Sequence, residues 1–417
     1  MAEEVWQCLS GVKALDLTNE MGFLCGKILA DLGIDVIKVE PPGGDQARNI
    51  GPFYKDIPHP EKSLFWFSYN ANKRGITLNL EKEQGRNLLK KLIEEVDIII
   101  ESFPPGKMKQ VGLDYEDLSE INPGLIYTSL TPFGRTGPYK DYKVTDLVAM
   151  AMGGLLFLVG DPDRPPVQIG YPQAYLHGGA EAAVATLMAV YYREVTGEGQ
   201  LVDISIQQSL LTSTFHTPAT WYLNQEILPR MGMDRAIGPG LRMPVVWPCK
   251  DGYMNFTVLG GVPGRKTMGG LAKWMEEEGM GDEFISQTDW GAFDFYGFTT
   301  ELVARTVGPI TRFFMHHTKA EIFEEFMKRG AMAFPVTTSE DIAKDPHLVE
   351  KGFWQEVEHP ELNGKISYPS PPSRINEEYP PIRRRAPLIG EHNEEIYKGL
   401  LNLSQEELFF LKEEGVI

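Results

Sequence analysis

The chain contains 417 residues, of which 42% are hydrophobic and 24% are charged. This composition is typical of a globular protein, and at roughly 150 residues per domain the length predicts about two or three domains. The net charge of −18 would repel DNA or RNA, so nucleic-acid binding has no electrostatic support. An anionic ligand would have to meet a local basic patch.

The number of cysteines and the length of the apolar runs indicate the cellular compartment in which the protein is expected. The three cysteines, Cys8, Cys25 and Cys249, are too few and too scattered for a disulfide framework or a zinc cluster. The first residues, Met-Ala-Glu-Glu-Val-Trp, lack the basic and apolar regions of a signal peptide. The longest apolar run, residues 149–159, is too short to span a bilayer. We therefore expect a cytoplasmic protein with no membrane contact.

The first half of the chain predicts alternating strands and helices. Strand-like runs cover residues 12–17, 35–39, 76–80, 96–100, 125–130 and 201–206, and helical spacing covers 24–32, 83–95 and 178–195. Such alternation predicts an α/β fold with a mainly parallel sheet. In the third helix, Val184, Leu187, Met188 and Tyr191 form one apolar face, and Gly197 is expected to end it.

The residue composition of the sequence changes after residue 220. Segments rich in aromatic residues, methionine and glycine cover about 225–330, which we interpret as a smaller domain. Residues 335–417 begin with proline-rich extended chain and end in a helix, whose start is predicted by the capping box of Ser404 and Glu407.

The common catalytic motifs are missing from the sequence. There is no H-E-x-x-H, G-x-S-x-G, Walker or G-x-G-x-x-G pattern, so we expect no metal site and no ordinary hydrolase, kinase or dinucleotide site. Instead, glycines and cations follow predicted strand ends at residues 72–75, 102–109 and 133–143. Loops of this kind bind phosphorylated ligands in open α/β sheets. The alternative is that these lysines and arginines are solvated side chains in ordinary turns.

Several segments together resemble family III CoA-transferases. They are Val12–Leu17, Gly33–Pro41, Asn72–Leu78, Phe103–Gly106, Gly112–Tyr115, Phe133–Tyr139 and Arg193–Gln200, with a matching C-terminus from Arg385 to Ile417. This group includes formyl-CoA, carnitine and benzylsuccinate CoA-transferases and the 2-methylacyl-CoA racemases. The resemblance covers almost the whole chain in consistent order.

The resemblance implies a fold and a ligand. The fold is a Rossmann-like large domain built from both chain ends (1–220 and 335–417) plus a smaller α+β domain (225–330), with two chains interlocked as a dimer. CoA or an acyl-CoA binds to the large domain as substrate. The residues that fall where family members contact CoA are Asn19, Glu20, Met21, Lys73, Arg74, Ser102, Phe103 and Lys143. Ser102 replaces an asparagine of many members, and Gln110 replaces an arginine of some.

The nucleophile of the family is missing from its place. Family transferases attack the thioester with an aspartate three residues before a glycine pair. Here that pair is Gly178–Gly179, and Tyr175 takes the place of the aspartate. A phenol with a pKa near 10 is mostly neutral and cannot form the required mixed anhydride. No Asp or Glu occurs between Arg164 and Gly179, which leaves Asp161 and Asp163 in the preceding loop.

Racemase chemistry is less well supported than transfer. The racemases use a His-Asp dyad and a second aspartate. Their histidine falls on Thr145, next to Asp146, and their second aspartate falls on Tyr175. His177 follows Tyr175 closely, and we weigh a catalytic role for it against that of a polar cap or core group. The segment 259–265 matches a mobile glycine loop of the family, and the alternatives are a lid over the active site or a simple turn.

The sequence therefore favours one function and leaves two alternatives. The favoured hypothesis is a subunit of a heteromeric, benzylsuccinate-type CoA-transferase of anaerobic aromatic degradation, moving CoA from a donor such as succinyl-CoA to a carboxylic acid. Its partner is a homologous subunit that carries the aspartate, or a second copy of this chain. One alternative is a self-sufficient CoA-transferase or isomerase that uses His177 or a nearby carboxylate. The other is a non-enzymatic acyl-CoA-binding protein.

Overall fold

Runs of β-branched and apolar residues form the strands of the fold. The computed structural model describes residues 9–238, 240–293 and 297–417. The strands in these ranges are β1 (Lys13–Leu17), β2 (Asp35–Glu40), β3 (Arg74–Thr77), β4 (Ile98–Glu101), β5 (Ile126–Thr131), β6 (Leu201–Ser205), β7 (Asp234–Gly238), β8 (Leu241–Pro244), β9 (Val246–Cys249), β10 (Gly252–Phe256), β11 (Ala333–Pro335), β12 (Trp354–His359) and β13 (Gly364–Pro369).

The helices mostly follow these strands along the chain. They are α1 (Phe23–Asp31), α2 (Leu64–Asn70), α3 (Glu83–Glu94), α4 (Lys107–Gln110), α5 (Tyr115–Ser119), α6 (Asp146–Met152), α7 (Leu155–Leu158), α8 (Gln173–Thr196), α9 (Ile206–Leu210), α10 (His216–Asn224), α11 (Gly261–Glu277), α12 (Glu283–Gln287), α13 (Thr300–Phe314), α14 (Lys319–Lys328), α15 (Ser339–Ala343), α16 (Pro346–Glu350), α17 (Asn393–Leu401) and α18 (Gln405–Glu413). Among the described helices, none is long and apolar enough to cross a membrane.

A six-stranded sheet forms the centre of the first compact unit. Its order is β3-β2-β1-β4-β5-β6, and every neighbouring pair is parallel. In the middle of the sheet, Leu15 pairs with Ile37 on one side and Ile99 on the other. The predicted α/β class and parallel sheet are confirmed. The strand order reverses between β1 and β4, which is where open α/β sheets bind ligands at the carboxyl ends of the strands.

Both faces of this sheet are covered. Leu15, Ile37 and Ile99 pack on one face with residues of α3 and of the two C-terminal helices. Ala14 and Ile100 pack on the opposite face with residues of α1 and α8. Burial on both faces explains why the central strands β4 and β5 are buried at every residue rather than at alternate ones.

Helix α8 packs closely through small residues. A Cβ atom on Gly178 would lie 2.8 Å from Ile206, and one on Gly179 would lie 2.9 Å from Leu24 of α1. The glycine pair is therefore required for the close approach of α8 to its neighbours. At the other end, Gly197 takes a φ of 81° and ends the helix, as predicted.

The apolar face predicted for α8 is not the buried one. Val184, Met188 and Tyr191 are 56%, 68% and 74% exposed, whereas Leu187 is only partly exposed and packs against the core. The buried side of the helix is instead formed by small residues, including Ala182. The predicted apolar face is therefore a largely exposed one, because close packing against α1 selects alanine and glycine rather than large side chains.

The C-terminal segment packs against β3. The Asn79 N–H donates to the Val416 carbonyl at 2.8 Å, and the Tyr397 hydroxyl donates to the Thr77 carbonyl at 2.7 Å. The predicted capping box of Ser404 and Glu407 is present at the start of α18. Both chain ends therefore build the same unit, which contains residues 1–156, 169–223 and 347–417.

The second compact unit contains residues 157–168 and 224–346. It includes a three-stranded antiparallel sheet, β11-β10-β9, whose core is rich in aromatic side chains such as Trp247, Phe256 and Phe314. Edge-to-face contacts between these rings favour a well-ordered core. Besides the predicted range 225–330, this unit includes segment 157–168 and residues 331–346. Of the glycine segment 259–265, residues from Gly261 onward form the first turn of α11.

Candidate active site

Tyr175, the residue that the sequence resemblance aligns with the family nucleophile, lies in the first turn of α8. Its half-buried side chain helps to line a cavity of about 10 Å³. This is roughly the space that one water molecule needs. The other lining residues are Glu20, Leu24, Phe65, Tyr69, Pro172 and Leu176. Side chains of this chain therefore fill the position where the resemblance places the reacting carboxylate.

The Tyr175 hydroxyl is held neutral by its surroundings. Burial, together with the negative charges of Glu20 and Asp146, raises the pKa of Tyr175 to about 12. At neutral pH the side chain is therefore a phenol rather than a phenolate. A neutral phenol is a poor nucleophile toward a thioester.

Asp146 holds the first turn of α8 in place. Its Oδ1 atom accepts the Tyr175 backbone N–H at 3.1 Å, which satisfies a donor that a helix start leaves unpaired. The residue is 8% exposed, and its Oδ2 atom is buried without a hydrogen-bond partner in the described chain. Burial raises the pKa of Asp146, against the lowering effect of the Tyr175 and Ala174 N–H groups. Asp146 thus presents one unsatisfied acidic oxygen near Tyr175.

The residues at the racemase positions make no acid–base pair. Thr145 is exposed at the start of α6 and makes no side-chain capping bond. His177 is half-buried, and its ring nitrogens lie 3.3–3.4 Å from the Ser213 hydroxyl. His177 is not among the residues that line the Tyr175 cavity. Asp161 and Asp163 belong to the second compact unit.

Two of the predicted CoA contacts meet at the point where the strand order reverses. The Asn19 backbone N–H donates to Ser102 Oγ at 2.9 Å, and the Ser102 hydroxyl donates to Asn19 Oδ1 at 3.0 Å. The same Oδ1 atom accepts the Met21 N–H at 3.1 Å. These bonds tie the loop after β1 to the loop after β4. The sequence resemblance thus selects residues that the fold brings together at the expected ligand-binding edge.

Phe103 is fixed by a buried carboxylate. Its backbone N–H donates to Glu101 Oε2 at 2.6 Å, and Glu101 is only 4% exposed. Burial raises the pKa of Glu101 to about 7, although hydrogen bonds from Ser129 and from the Phe103 backbone lower it. The geometry of the Ser102–Phe103 loop therefore depends on a carboxyl group that titrates near neutrality.

Two predicted phosphate contacts are already occupied within the protein. Lys73 is completely buried, and its Nζ atom donates to Asp16 Oδ2 at 2.8 Å, to the Phe23 carbonyl at 3.1 Å and to Asn70 Oδ1 at 2.9 Å. An ammonium group has three donors, so none is left for a ligand.

Arg74 is held in a similar way. Its Nε atom donates to Asp35 Oδ1 at 3.0 Å, and its NH1 atom donates to Glu395 Oε1 at 2.6 Å. Lys143, in contrast, is exposed and has no side-chain hydrogen bond or ion pair within the described ranges. Of the three predicted cations, Lys143 is the exposed one, whereas Arg74 uses three of its five N–H donors on Asp35 and Glu395.

Sequence reasoning missed the two carboxylates that interact with Tyr175. Glu20 was predicted as a CoA contact, and Asp146 was noted only beside Thr145, yet both act on the Tyr175 hydroxyl. The acidic candidates taken from the sequence were Asp161 and Asp163, which precede the glycine pair in the chain. A search of all loops at the carboxyl ends of β1 and β5 would have included Glu20 and Asp146. Over the described residues, no three His, Cys, Asp or Glu side chains are grouped to hold a metal ion.

Comparisons with known proteins agree with the resemblance. A family model described as CoA-transferase family III matches residues 9–393. The chain is 34% identical to the succinyl-CoA:(R)-benzylsuccinate CoA-transferase subunit BbsE of Thauera aromatica, over 94% of this chain and 93% of that protein. It is 31% identical to the succinyl-CoA–D-citramalate CoA-transferase of Chloroflexus aurantiacus, over 98% of each.

A solved structure has the same fold over nearly its whole length. It is a CAIB/BAIF family protein from Brucella suis, which matches with a TM-score of 0.81 and 28% sequence identity. The match covers 94% of this chain and 99% of that one.

Proposed function

Because this chain belongs to CoA-transferase family III, we propose that it acts as a subunit of a heteromeric CoA-transferase whose partner chain supplies the nucleophilic aspartate. The complex moves CoA from an acyl-CoA donor to a carboxylic acid. Succinyl-CoA is the donor in the names of the Thauera and Chloroflexus relatives, and we propose the same donor here. The Thauera relative is itself named as a subunit, which supports a multi-chain enzyme.

The observation that carries this proposal is the chemistry at Tyr175. The transfer reaction requires a carboxylate that attacks the thioester carbonyl and then holds CoA as a new thioester. Tyr175 is a neutral phenol in a cavity of about 10 Å³, so it has neither the charge nor the space for this step. The activity is therefore assigned to a partner's site.

An exposed stripe on α8 supports a partner chain. Val184, Met188, Tyr191 and Val195 recur at helical spacing and are 56–74% exposed. A stripe of large apolar side chains on one helix is typical of an interaction surface. We propose that a homologous subunit, or a second copy of this chain, covers it.

CoA binding is proposed at the loops after β1 and β4. The Asn19–Ser102 hydrogen bonds hold these loops together, with Glu20, Met21 and Phe103 beside them. Lys143 is the cation proposed to reach a CoA phosphate, whereas Lys73 and Arg74 act indirectly by holding β3 against its neighbours.

The second candidate is a self-sufficient transferase that uses Glu20 or Asp146. It is favoured by the unpaired Asp146 Oδ2 atom and by the position of Glu20 in the lining of the Tyr175 cavity. Either carboxylate could in principle replace the missing aspartate chemically. The structure around Asp146 argues for a supporting role, because its other oxygen is bound to the α8 helix start.

Exchange of CoA between succinyl-CoA and carboxylic acids separates the two candidates. Under the subunit proposal, the purified chain alone gives no exchange, and adding a homologous chain that retains the aspartate restores it. Exchange by the lone chain that disappears in E20Q or D146N would instead establish the self-sufficient enzyme. The E181Q variant, which changes a carboxylate on the same helix as Tyr175, serves as the matched control.

A further inference from the structure

A strongly basic cavity lies in the second compact unit, between α11 and α14. Its volume is about 600 Å³. The charged residues that line it are Arg265, Lys266, Lys273, Lys328, Arg329 and Glu325. Five cations and one carboxylate thus face one cavity in a chain whose net charge is −18. Such a local excess of positive charge is opposite to the average of the molecule and attracts anions.

Glycines keep this cavity open. Gly269 and Gly270 form part of its lining on α11, and no atom outside the helix lies within 4 Å of a Cβ built on Gly269. At the end of α14, a Cβ on Gly330 would lie 2.6 Å from the Lys266 Nζ atom. The Lys266 ammonium therefore reaches from α11 to Gly330, which lies two residues after the end of α14.

The cations of the cavity are only partly neutralised. Arg329 is paired with Glu277 at 2.5 Å and with Glu325 at 3.1 Å, and Lys328 shares Glu325 at 2.8 Å. Even so, the Arg329 Nε atom is buried without a hydrogen-bond partner in the described ranges. Glu277 and Glu325 together offset the charges of Arg329 and Lys328, and Asp289 lies 3.6 Å from Arg265.

Lys266 and Lys273 carry the remaining charge. Both are exposed, and neither makes a side-chain hydrogen bond or ion pair with another described residue. They lie seven positions apart on α11, which places them on the same side of the helix with a rise of about 10 Å between their backbones. Two flexible ammonium groups that border one cavity can converge on a compact anion.

We propose that this cavity binds a small molecule that carries a diphosphate group, held by Lys266, Lys273 and Arg329. The cavity volume lies within the range of small-molecule sites, and phosphate oxygens accept the charge-assisted hydrogen bonds that these side chains donate. A free nucleotide and CoA itself both contain a diphosphate. This site is separate from the residues of the proposed transferase function and does not depend on that function.

Calorimetric titration of the full chain with ADP tests the proposal. We expect ADP to bind to the wild type. K266Q/K273Q should weaken this binding about tenfold or more, because each substitution removes an ammonium group that donates a charge-assisted hydrogen bond. The control K250Q/K344Q removes the same charge from exposed positions of the same unit and leaves binding unchanged. Circular dichroism verifies that both double variants are folded.

The outcomes are distinct. An absence of ADP binding, or equal affinities in the wild type and both double variants, would overturn the proposal. If CoA displaces ADP from the site that K266Q/K273Q removes, CoA is the source of the diphosphate, and if it does not, a free nucleotide is the source. Rising salt concentration should weaken this binding, because Lys266 and Lys273 are solvent-exposed charges.

Discussion

Tyr175 is the residue on which the proposed function depends, because the resemblance aligns it with the aspartate of the family. Restoring an aspartate there supplies a nucleophile and, by removing the ring, enlarges the cavity of about 10 Å³. We predict that the Y175D variant of the lone chain gains measurable CoA exchange between succinyl-CoA and a carboxylic acid, whereas Y175F remains inactive. Loss of exchange in a Y175F complex with its partner would show that the hydroxyl itself takes part in the reaction.

The buried Lys73 is predicted to stabilise the fold rather than to bind phosphate. Its ammonium is completely buried against Asp16 and Asn70. In K73M these oxygens lose their donor while Asp16 keeps Lys38 at 3.7 Å, and losing a hydrogen bond to a buried charged group costs about 1.5–3 kcal/mol of unfolding free energy. Urea denaturation measures this loss. K143M, at an exposed lysine, is the control and should leave the unfolding free energy nearly unchanged while weakening CoA binding.

Glu101 is predicted to make stability depend on pH. Its folded-state pKa of about 7 exceeds its ordinary value of 4.5, because the carboxyl is buried. Between these values the unfolded chain releases the proton while the folded chain retains it, so rising pH favours unfolding. From pH 5 to 7, wild-type unfolding free energy should fall by about 1–3 kcal/mol relative to E101Q. Parallel pH profiles of the two proteins in urea denaturation would contradict this.

Helix α8 is the element that we expect to connect this chain to its partner. Met188 and Tyr191 are 68% and 74% exposed and contribute little to the core of their own unit. M188E/Y191E should therefore leave the helix content unchanged and break the assembly, because two charges would be buried in the contact. Size-exclusion chromatography with light scattering measures the mass. E194Q, on the same helix but off the stripe, is the control, and an unchanged mass in M188E/Y191E would remove α8 from the interface.

The sequence predicted where strands and helices lie better than it predicted which residues they contact. The alternation of apolar strands with helices predicted all six strands of the parallel sheet, because continuous burial leaves a strong local pattern. The apolar face predicted for α8 is largely exposed, since periodicity reports an apolar face without saying what covers it.

The same limit applies to the site. Asn19 and Ser102 were identified through family motifs, and the fold brings them together. The internal pairing of Lys73 with Asp16, and the effect of Asp146 on Tyr175, depend on contacts between residues far apart in the chain. Local sequence carries no signal for such contacts, so these roles required coordinates.

For the whole molecule, the central claim is that the covalent step occurs on another chain. The transfer passes through an enzyme-bound CoA thioester, so the chain that carries the nucleophile gains the mass of CoA less that of one water. The most direct measurement is intact-protein mass spectrometry of the assembled enzyme after incubation with succinyl-CoA. We predict an adduct on the homologous partner and an unchanged mass for this chain. An adduct on this chain, mapped by peptide analysis to Glu20 or Asp146, would contradict the account.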